Sequence, residues 1–369
     1  MKRYLISGGG TGGHIFPAIS IANELKARDG ECEILFVGAK GRMEMKRVPE
    51  AGYEIVGLNV QGFHRHHLWK NIGVLYNLIK SMCKVKKVIQ EFKPDVAIGV
   101  GGYASGAALR VAENMGIPVV IQEQNGFAGV TNKLLAKKAE RICVAYDGME
   151  KYFPAEKIVV TGNPVRQNLF NHDISKAEAL AHFGLKEGKK TLLVIGGSLG
   201  ARTINHSLMR SLRLLTESDV QVIWQTGKYG YSESKEAYSR YDKSKGSIVI
   251  TDFVKRMDYA YAAADVVISR AGASSISELC LLGKACILVP SPNVAEDHQT
   301  HNAMALSSKG AAILIKDQDA RDELVDTALT LLGDDKRRTA LSRNIATLGI
   351  KDSAAKIVDE IEKVISNRI

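Results

Sequence analysis

Apolar positions along the chain fall into short β-branched runs, separated by stretches in which apolar residues recur every three or four positions. Tyr4–Ile6, Glu33–Val37, Asp95–Val100, Pro118–Ile121, Arg141–Val144 and Ile158–Val160 form a first series. Thr191–Ile195, Val220–Gln225, Ser247–Ile250, Val266–Ile268, Ala285–Val289 and Ala312–Ile315 form a second. Continuous apolar strands alternating with amphipathic helices predict parallel sheets covered on both faces, so an α/β chain of two doubly wound domains. Both series open alike. Tyr4–Ile6 run into SGGGTGGH and Thr191–Ile195 into GGSLGAR, each followed by a helical pattern. The turn-rich stretch Gly162-Asn163-Pro164-Val165-Arg166 precedes a helix expected at 175–183, which predicts domains at 1–163 and 164–349. Residues 350–369 carry a last amphipathic helix, 353–365, with docking on the first domain as one option.

Composition narrows the class. With 369 residues, 45% hydrophobic and 24% charged, the chain is neither disordered nor fibrous. Its longest apolar runs fall far short of the ~18 residues of a membrane span. The start, Met1–Ser7, breaks into glycines too soon for a signal peptide. Cys32, Cys83, Cys143, Cys280 and Cys286 are scattered and show no CxxC spacing, which predicts a reduced cytosolic protein without a zinc site. Fifty basic residues against forty acidic ones give +10, with the surplus mainly in the first 165 residues, so an anionic partner is expected there. Nucleic acid is not that partner: no motif for it is present and only 6% of the chain is aromatic.

Three glycine loops follow strands, at 8–13, 101–106 and 196–202. Glycine lets a backbone turn tightly and bring its N–H groups close to an anion, and the dipole of a following helix adds positive potential. Gly8-x-Gly10-x-x-Gly13 matches a dinucleotide fingerprint, but that fingerprint wants an acid at the end of the second strand. Here Val37 is followed by Gly38-Ala39-Lys40, which counts against a nicotinamide cofactor. Asp317-Gln318-Asp319 has the Asp-x-Asp form of a metal site, yet sits in KDQDARDE, where a solvated turn is the expectation. Ser269–Glu278 (SRAGASSISE) reads either as a diphosphate-binding helix start, with Glu278 for a ribose diol, or as a capped helix.

Taken together, GGGTGGHIFPA at 8–18, GGYASG at 101–106, EQNGFAGVTNK at 123–133, GNPVR at 162–166, GGSLGAR at 196–202, SRAGASSISE at 269–278 and DHQTHNA at 297–303 resemble the MurG family of peptidoglycan glycosyltransferases in order and spacing. The resemblance covers nearly the whole chain. It implies the GT-B fold, two Rossmann-like domains facing across a cleft. It also implies inverting transfer of N-acetylglucosamine from UDP-N-acetylglucosamine to the C4 hydroxyl of N-acetylmuramic acid on undecaprenyl-linked lipid I, giving lipid II. No cofactor and no obligatory metal are expected. Carried over by motif, Phe253 and Val254 bracket the uracil, with the Val254 backbone bonding the ring. Glu278 accepts from the ribose. Ser198, Arg166 and the N–H groups of Ala273, Ser274, Ser275, Ile276 and Ser277 hold the diphosphate. Gln299 and Asn125 read the sugar, and Thr11, Gly12 and Gly13 close from the first domain. Gln122, Ala107 and Thr300 depart from the family's pattern, and Thr300 puts one sugar contact in doubt.

An inverting transfer needs a base for the acceptor hydroxyl. His14 is the first candidate, at the start of a helix expected at Ile15–Leu25 with Pro17 in its first turn, where the positive helix end favours a neutral ring. A helix-capping role is its alternative, and Glu123 is a rival base. The acceptor diphosphate is expected on the glycine loops, with Gly101, Gly102, Tyr103 and Ser105 as contacts. Residues 71–93 form a helix with two apolar faces. Val74, Leu78, Val85, Val88 and Phe92 face the sheet, and Ile72, Tyr76, Ile79 and Cys83 lie opposite, flanked by Lys80, Lys86 and Lys87 with Arg65 and Lys70 upstream. That second face is either buried or a site for an anionic membrane surface. The resemblance implies a peripheral protein on the cytoplasmic face of the inner membrane, with other cell-wall synthesis proteins as further partners. A sugar-nucleotide epimerase and a non-catalytic binding module are the competing classes.

Overall fold

In a computed structural model the strands are built as two parallel sheets; the structure describes every residue except 11, 63–70, 166–168, 170–173, 198, 242–246, 295–296 and 369. The chain divides into two compact units, Met1–Arg166 with Ile350–Ile369, and Gln167–Gly349. The first unit runs β1 (Arg3–Ser7), α1 (Gly12–Arg28), β2 (Glu33–Ala39), α2 (Glu44–Glu50), β3 (Glu54–Leu58), α3 (Asn71–Phe92), β4 (Val96–Gly99), α4 (Tyr103–Asn114), β5 (Val119–Glu123), α5 (Val130–Ala136), β6 (Arg141–Val144) and β7 (Ile158–Val160). The second runs α6 (Lys176–His182), β8 (Lys190–Ile195), α7 (Arg202–Arg210), α8 (Leu212–Glu217), β9 (Val220–Gln225), α9 (Tyr231–Ser239), β10 (Ser247–Thr251), α10 (Met257–Ala263), β11 (Val266–Ser269), α11 (Ala273–Leu281), β12 (Cys286–Leu288), α12 (His298–Ser307), β13 (Ile313–Leu314), α13 (Ala320–Gly333) and α14 (Asp335–Ala346). The last helix, α15 (Ser353–Ser366), belongs to the first unit.

Strand order is β3-β2-β1-β4-β5-β6-β7 in one sheet and β10-β9-β8-β11-β12-β13 in the other. The order reverses between β1 and β4, and again between β8 and β11, the switch points at which open α/β sheets bind ligands. Register makes this concrete. Ser7 pairs with both Val37 and Gly99, so the loops leaving β1, β2 and β4 emerge side by side. Ile195 pairs with Ser269, which does the same for the loops leaving β8 and β11.

Alternation within strands fills both faces of each sheet. Leu5 and Ala97 join one core layer of the first unit, while Tyr4, Ile6, Val96 and Ile98 join the other. That second layer is closed by α15, whose Ile357, Val358, Ile361, Val364 and Ile365 pack with Ile21, Ala22 and Leu25 of α1. Each such side chain contributes roughly 1.5–3 kcal/mol on burial. The ion pairs of Arg28 with Asp359 and Glu362, at 2.7 and 3.1 Å, add little at the surface.

Two expectations are corrected. The strand β3 falls in Glu54–Leu58, whose glutamate and glycine interrupt the apolar run; as an edge strand it is covered less and tolerates both. α1 begins at Gly12 rather than Ile15, because two poor helix formers mask its start. Pro17 therefore lies beyond the first turn, where it removes one helix hydrogen bond.

In the second unit Lys284 donates to the Ala264 carbonyl at 3.1 Å, and loss of surrounding water holds its ammonium down to about 8, with Asp265 opposing that fall. The folded chain thus binds fewer protons than the unfolded one between about pH 8 and the ordinary lysine value of 10.5, and stability rises with pH through that window. Lys284→Met is expected to be more stable than the wild type at pH 7 by about 1–3 kcal/mol. In urea titrations across pH that advantage shrinks as pH climbs past 8; a constant difference would refute it.

Candidate active site

In the first unit the loops after β1 and β4 touch through their backbones. Gly9 donates to the Gly101 carbonyl at 3.3 Å. Gly101 and Gly102 have φ of +95° and +93°, and a Cβ on Gly102 would stand 2.5 Å from the Gly9 oxygen, so only glycine fits there. His14, in the first turn of α1, lies between these loops. Its Nδ1 is 3.0 Å from the Gly9 carbonyl, and a Cβ on Gly101 would come within 2.9 Å of its Nε2. A carbonyl only accepts, so the neutral ring carries its proton on Nδ1 and its lone pair on Nε2. The tautomer follows from the partner.

Tyr103 starts α4 and is exposed, as an acceptor contact requires. Ser105 is corrected: it is fully buried, with its hydroxyl packed toward Gly99, so it supports the loop and does not face a ligand. Glu123 is corrected as well. One of its oxygens accepts from the Asn125 N–H at 3.1 Å and the Asn125 amide at 3.2 Å. The other accepts from the Gly129 N–H at 3.0 Å and the Asn132 amide at 2.9 Å. Four donors on a buried carboxylate make it the anchor of the 124–129 loop, a poor position for a base. Gln122, buried, donates to Asn163 at 2.9 Å and Asn163 to the Gln124 carbonyl at 2.9 Å, which ties the end of β5 to the Asn163 turn.

In the second unit the Gly196–Gly200 loop packs on the turn after β9, with Gly200 and Gly227 both at positive φ. Asn205 bridges the two by donating to the Thr226 carbonyl at 2.8 Å and accepting from the Trp224 indole at 3.0 Å. After β11, α11 starts with no acidic residue in its first turn and no side-chain cap. Its Ser274 hydroxyl is buried with no hydrogen-bond partner, while Ser277 donates to the Ala273 carbonyl at 2.9 Å. The expected Ile276 contact is corrected, since its N–H is bonded to the Gly272 carbonyl at 3.0 Å, and the N–H groups before it in the first turn, with the Ser274 hydroxyl, suit an anion. Glu278, one turn on, is buried and accepts from the Tyr261 hydroxyl at 2.9 Å.

Val254 needs a finer reading: its N–H is committed to the Gln225 side chain at 2.9 Å, so only its carbonyl can meet a base. Phe253 beside it is exposed. Gln299 accepts from the Ser291 N–H at 2.9 Å, which directs its amide NH2 as the end left for a sugar oxygen. Asp317-Gln318-Asp319 is a turn with Gln318 exposed, as expected, but the Asp317 carboxylate is not simply solvated. It is largely buried, pairs with Arg270, and accepts from the Thr203 hydroxyl at 2.8 Å, tying the ends of β11 and β13 together. Among the described residues no group of three His, Cys, Asp or Glu is arranged to hold a metal ion. Thr11, Arg166 and Ser198 lie outside the described residues, as do Arg65 and Lys70.

Helix α3 turns Val74, Val85 and Ile89 inward and leaves Ile72, Leu75, Tyr76 and Ile79 exposed, Ile72 by 76%. Cys83, Lys80, Lys86 and Lys87 are exposed beside them. Lys40, Lys80, Lys84 and Lys87 line a hollow of about 450 Å³ together with Ser81 and Cys83. Among the described residues no helix is long and apolar enough to cross a membrane.

Comparison with known proteins places this geometry. Residues 4–144 match the glycosyltransferase family 28 N-terminal domain and residues 191–359 the glycosyltransferase family 28 C-terminal domain. The chain belongs to glycosyltransferase family 28. Its fold is GT-B, two Rossmann-like parallel-sheet domains. It is 63% identical, over all of both chains, to the UDP-N-acetylglucosamine--N-acetylmuramyl-(pentapeptide) pyrophosphoryl-undecaprenol N-acetylglucosamine transferase of Parabacteroides distasonis. It is 58% identical to the Bacteroides fragilis protein of the same name, over 98% of this chain and 95% of that one. Among solved structures, MurG of Acinetobacter baumannii superposes with a TM-score of 0.79 at 26% identity, covering 98% of this chain and all of that one.

The residues of this family 28 chain that sequence reasoning missed are those that hold other residues. Glu44, Gln225, Tyr261 and Asn132 each fix a predicted site residue or its loop, and of these only Asn132 lies in a motif quoted above, EQNGFAGVTNK. Glu44 had a signal: it is an acid shortly after the second strand, where a fingerprint search stops at Lys40. Gly102→Ala is expected to lower stability by about 2–4 kcal/mol in denaturant unfolding. Gly116→Ala, also at positive φ but facing open space, serves as the control for conformational strain alone. Equal losses in the two would show that the 9–102 approach does not matter.

Proposed function

We propose that this chain transfers N-acetylglucosamine from UDP-N-acetylglucosamine to the C4 hydroxyl of lipid-linked N-acetylmuramyl-pentapeptide, with inversion at the anomeric carbon. What carries this reading is 63% identity, end to end, with a transferase named for that reaction. The half-sites support it. In the second unit the α11 start, with Ser274, receives the donor diphosphate; Arg166 and Ser198, outside the described residues, are read from their motifs as further diphosphate contacts. Glu278 takes the ribose hydroxyls, the Val254 carbonyl accepts from the uracil N–H, and the Gln299 amide reads the sugar; Asn125, on the first unit, is read from its motif as a further sugar contact. In the first unit Gly101, Gly102 and Tyr103 receive the acceptor diphosphate, and Gly12 and Gly13, with Thr11, are read as donor contacts.

The step is a single displacement. The acceptor O4 forms its bond to the anomeric carbon as its proton passes to His14 Nε2, and the bond from that carbon to the UDP oxygen breaks. Backbone N–H groups and a guanidinium stabilise the charge that grows on departing UDP. Labelled N-acetylglucosamine is expected to move into a lipid I analogue, with or without EDTA. His14→Gln should lower kcat by about 10²–10⁴-fold. Full turnover in that variant would remove His14 as the base. A folded protein that binds UDP yet gives no transfer would favour epimerisation, tested with the same donor.

The exposed face of α3 is read as the membrane contact. Its apolar side chains enter the boundary region of an anionic leaflet, and nearby lysines contribute about 1 kcal/mol each. This fits a peripheral protein on the cytoplasmic face of the inner membrane, where lipid I and other cell-wall synthesis proteins would meet it. The wild type is expected to co-sediment with phosphatidylglycerol vesicles at low salt. A combined Ile72→Ser, Tyr76→Ser, Ile79→Ser variant should lose that binding while keeping turnover of a water-soluble acceptor. Unchanged sedimentation would sink this reading.

A further inference from the structure

Glu44 is wholly buried, and among the described residues its carboxylate meets backbone N–H groups and no cation: Oε1 accepts from Ala39, at the end of β2, at 3.0 Å and Oε2 from Gly10, in the glycine loop, at 3.0 Å. The Gly10 N–H and the Gly9 carbonyl are two ends of one planar peptide unit. The Gly9 end of that unit holds His14 Nδ1 at 3.0 Å. A carboxylate bound to the N–H end of an amide raises the acceptor strength of its carbonyl end, because hydrogen bonds in a chain polarise one another. The close contacts leave the peptide no freedom to turn. Gly9 lies against the Glu44 carboxylate, with no room for a Cβ, and donates to Gly101, where a Cβ would come within 2.9 Å of the His14 ring.

We propose that Glu44 is a positioning residue for His14, acting through the Gly9–Gly10 peptide as a carboxylate–peptide–imidazole relay that holds the ring's proton on Nδ1 and its lone pair on Nε2. An aspartate–histidine pair does this by direct contact; here one peptide unit stands between the two side chains. This also accounts for the carboxylate's place beneath a loop expected to receive an anion: the Gly10 N–H is consumed by Glu44, so the acceptor must be met by the other groups of the loop. The proposal rests on the reading of His14 as base.

The test is a double-mutant cycle with a spectroscopic arm. In Glu44→Gln the amide oxygen satisfies one N–H and its NH2 opposes the other, so the relay is broken at small change in volume. Transfer kcat is expected to fall on the order of tenfold, the low end of what an outer partner of a functional histidine contributes, with donor KM unchanged. In the His14→Gln background the same substitution should cost less than about twofold, since residues acting as one unit are not additive. Equal losses in both backgrounds, or none in the wild type, would overturn the relay while leaving His14 as base. Full turnover of His14→Gln itself would instead overturn the base reading, and the relay with it. Ring-15N-labelled protein, with the His14 signal assigned by its loss in folded His14→Gln, gives a readout independent of turnover. The wild-type neutral ring is expected as the Nδ1–H tautomer, shifting toward Nε2–H in Glu44→Gln; an Nε2–H ring in the wild type would refute the proposal.

Discussion

The first unit depends on two stretches of backbone coming within hydrogen-bond distance of each other, Gly9 against Gly101 and Gly102. Parallel strands in register bring the two loops to one edge of the sheet, but side chains would keep them apart. Removing the Cβ atoms lets the loops meet, and a backbone that has no freedom left can hold a ring in place. His14 owes its orientation to that contact. The second unit repeats the device between Gly200 and Gly227, where backbone again lies on backbone. Two unrelated stretches of sequence solve the same steric problem with the same residue.

Burial of carboxylates is the second constraint. Glu44 and Glu123 are both shut away from water, and each is met by N–H groups from neighbouring loops in place of a cation. Desolvating a carboxylate is expensive, and leaving a buried N–H without a partner is expensive too; pairing them offsets both costs at once. Loops beside the site are therefore tied down by hydrogen bonds although they lack regular structure. Tyr261 on Glu278 and Gln225 on Val254 do the same for the second unit, where these two groups predicted to touch the donor are each held by a neighbour.

Much of this was legible in the chain. Alternating apolar strands and helices announced two parallel sheets, because a strand buried on both faces needs apolar residues throughout. Glycines after β1, β4 and β8 marked the switch points, because only glycine permits those turns. Family motifs named the donor contacts and His14. The exposed face of α3 could be drawn on a helical wheel but not decided, since a second apolar stripe looks the same whether another element covers it or not.

What the sequence determined by itself was the α/β class and all but one strand of the two sheets, which follow from periodicity and local backbone demands, while the residue types of the site came from the resemblance of its motifs to a known family. What only the tertiary structure decided was which oxygen meets which N–H. Ser105 turned inward, Glu123 became an anchor, Asp317 found Arg270, and Glu44 came to rest under a loop more than thirty positions earlier in the chain. Those outcomes depend on distances between segments far apart in sequence, and no local pattern encodes them: a buried polar group takes whichever partner the packing of the sheet brings within about 3 Å.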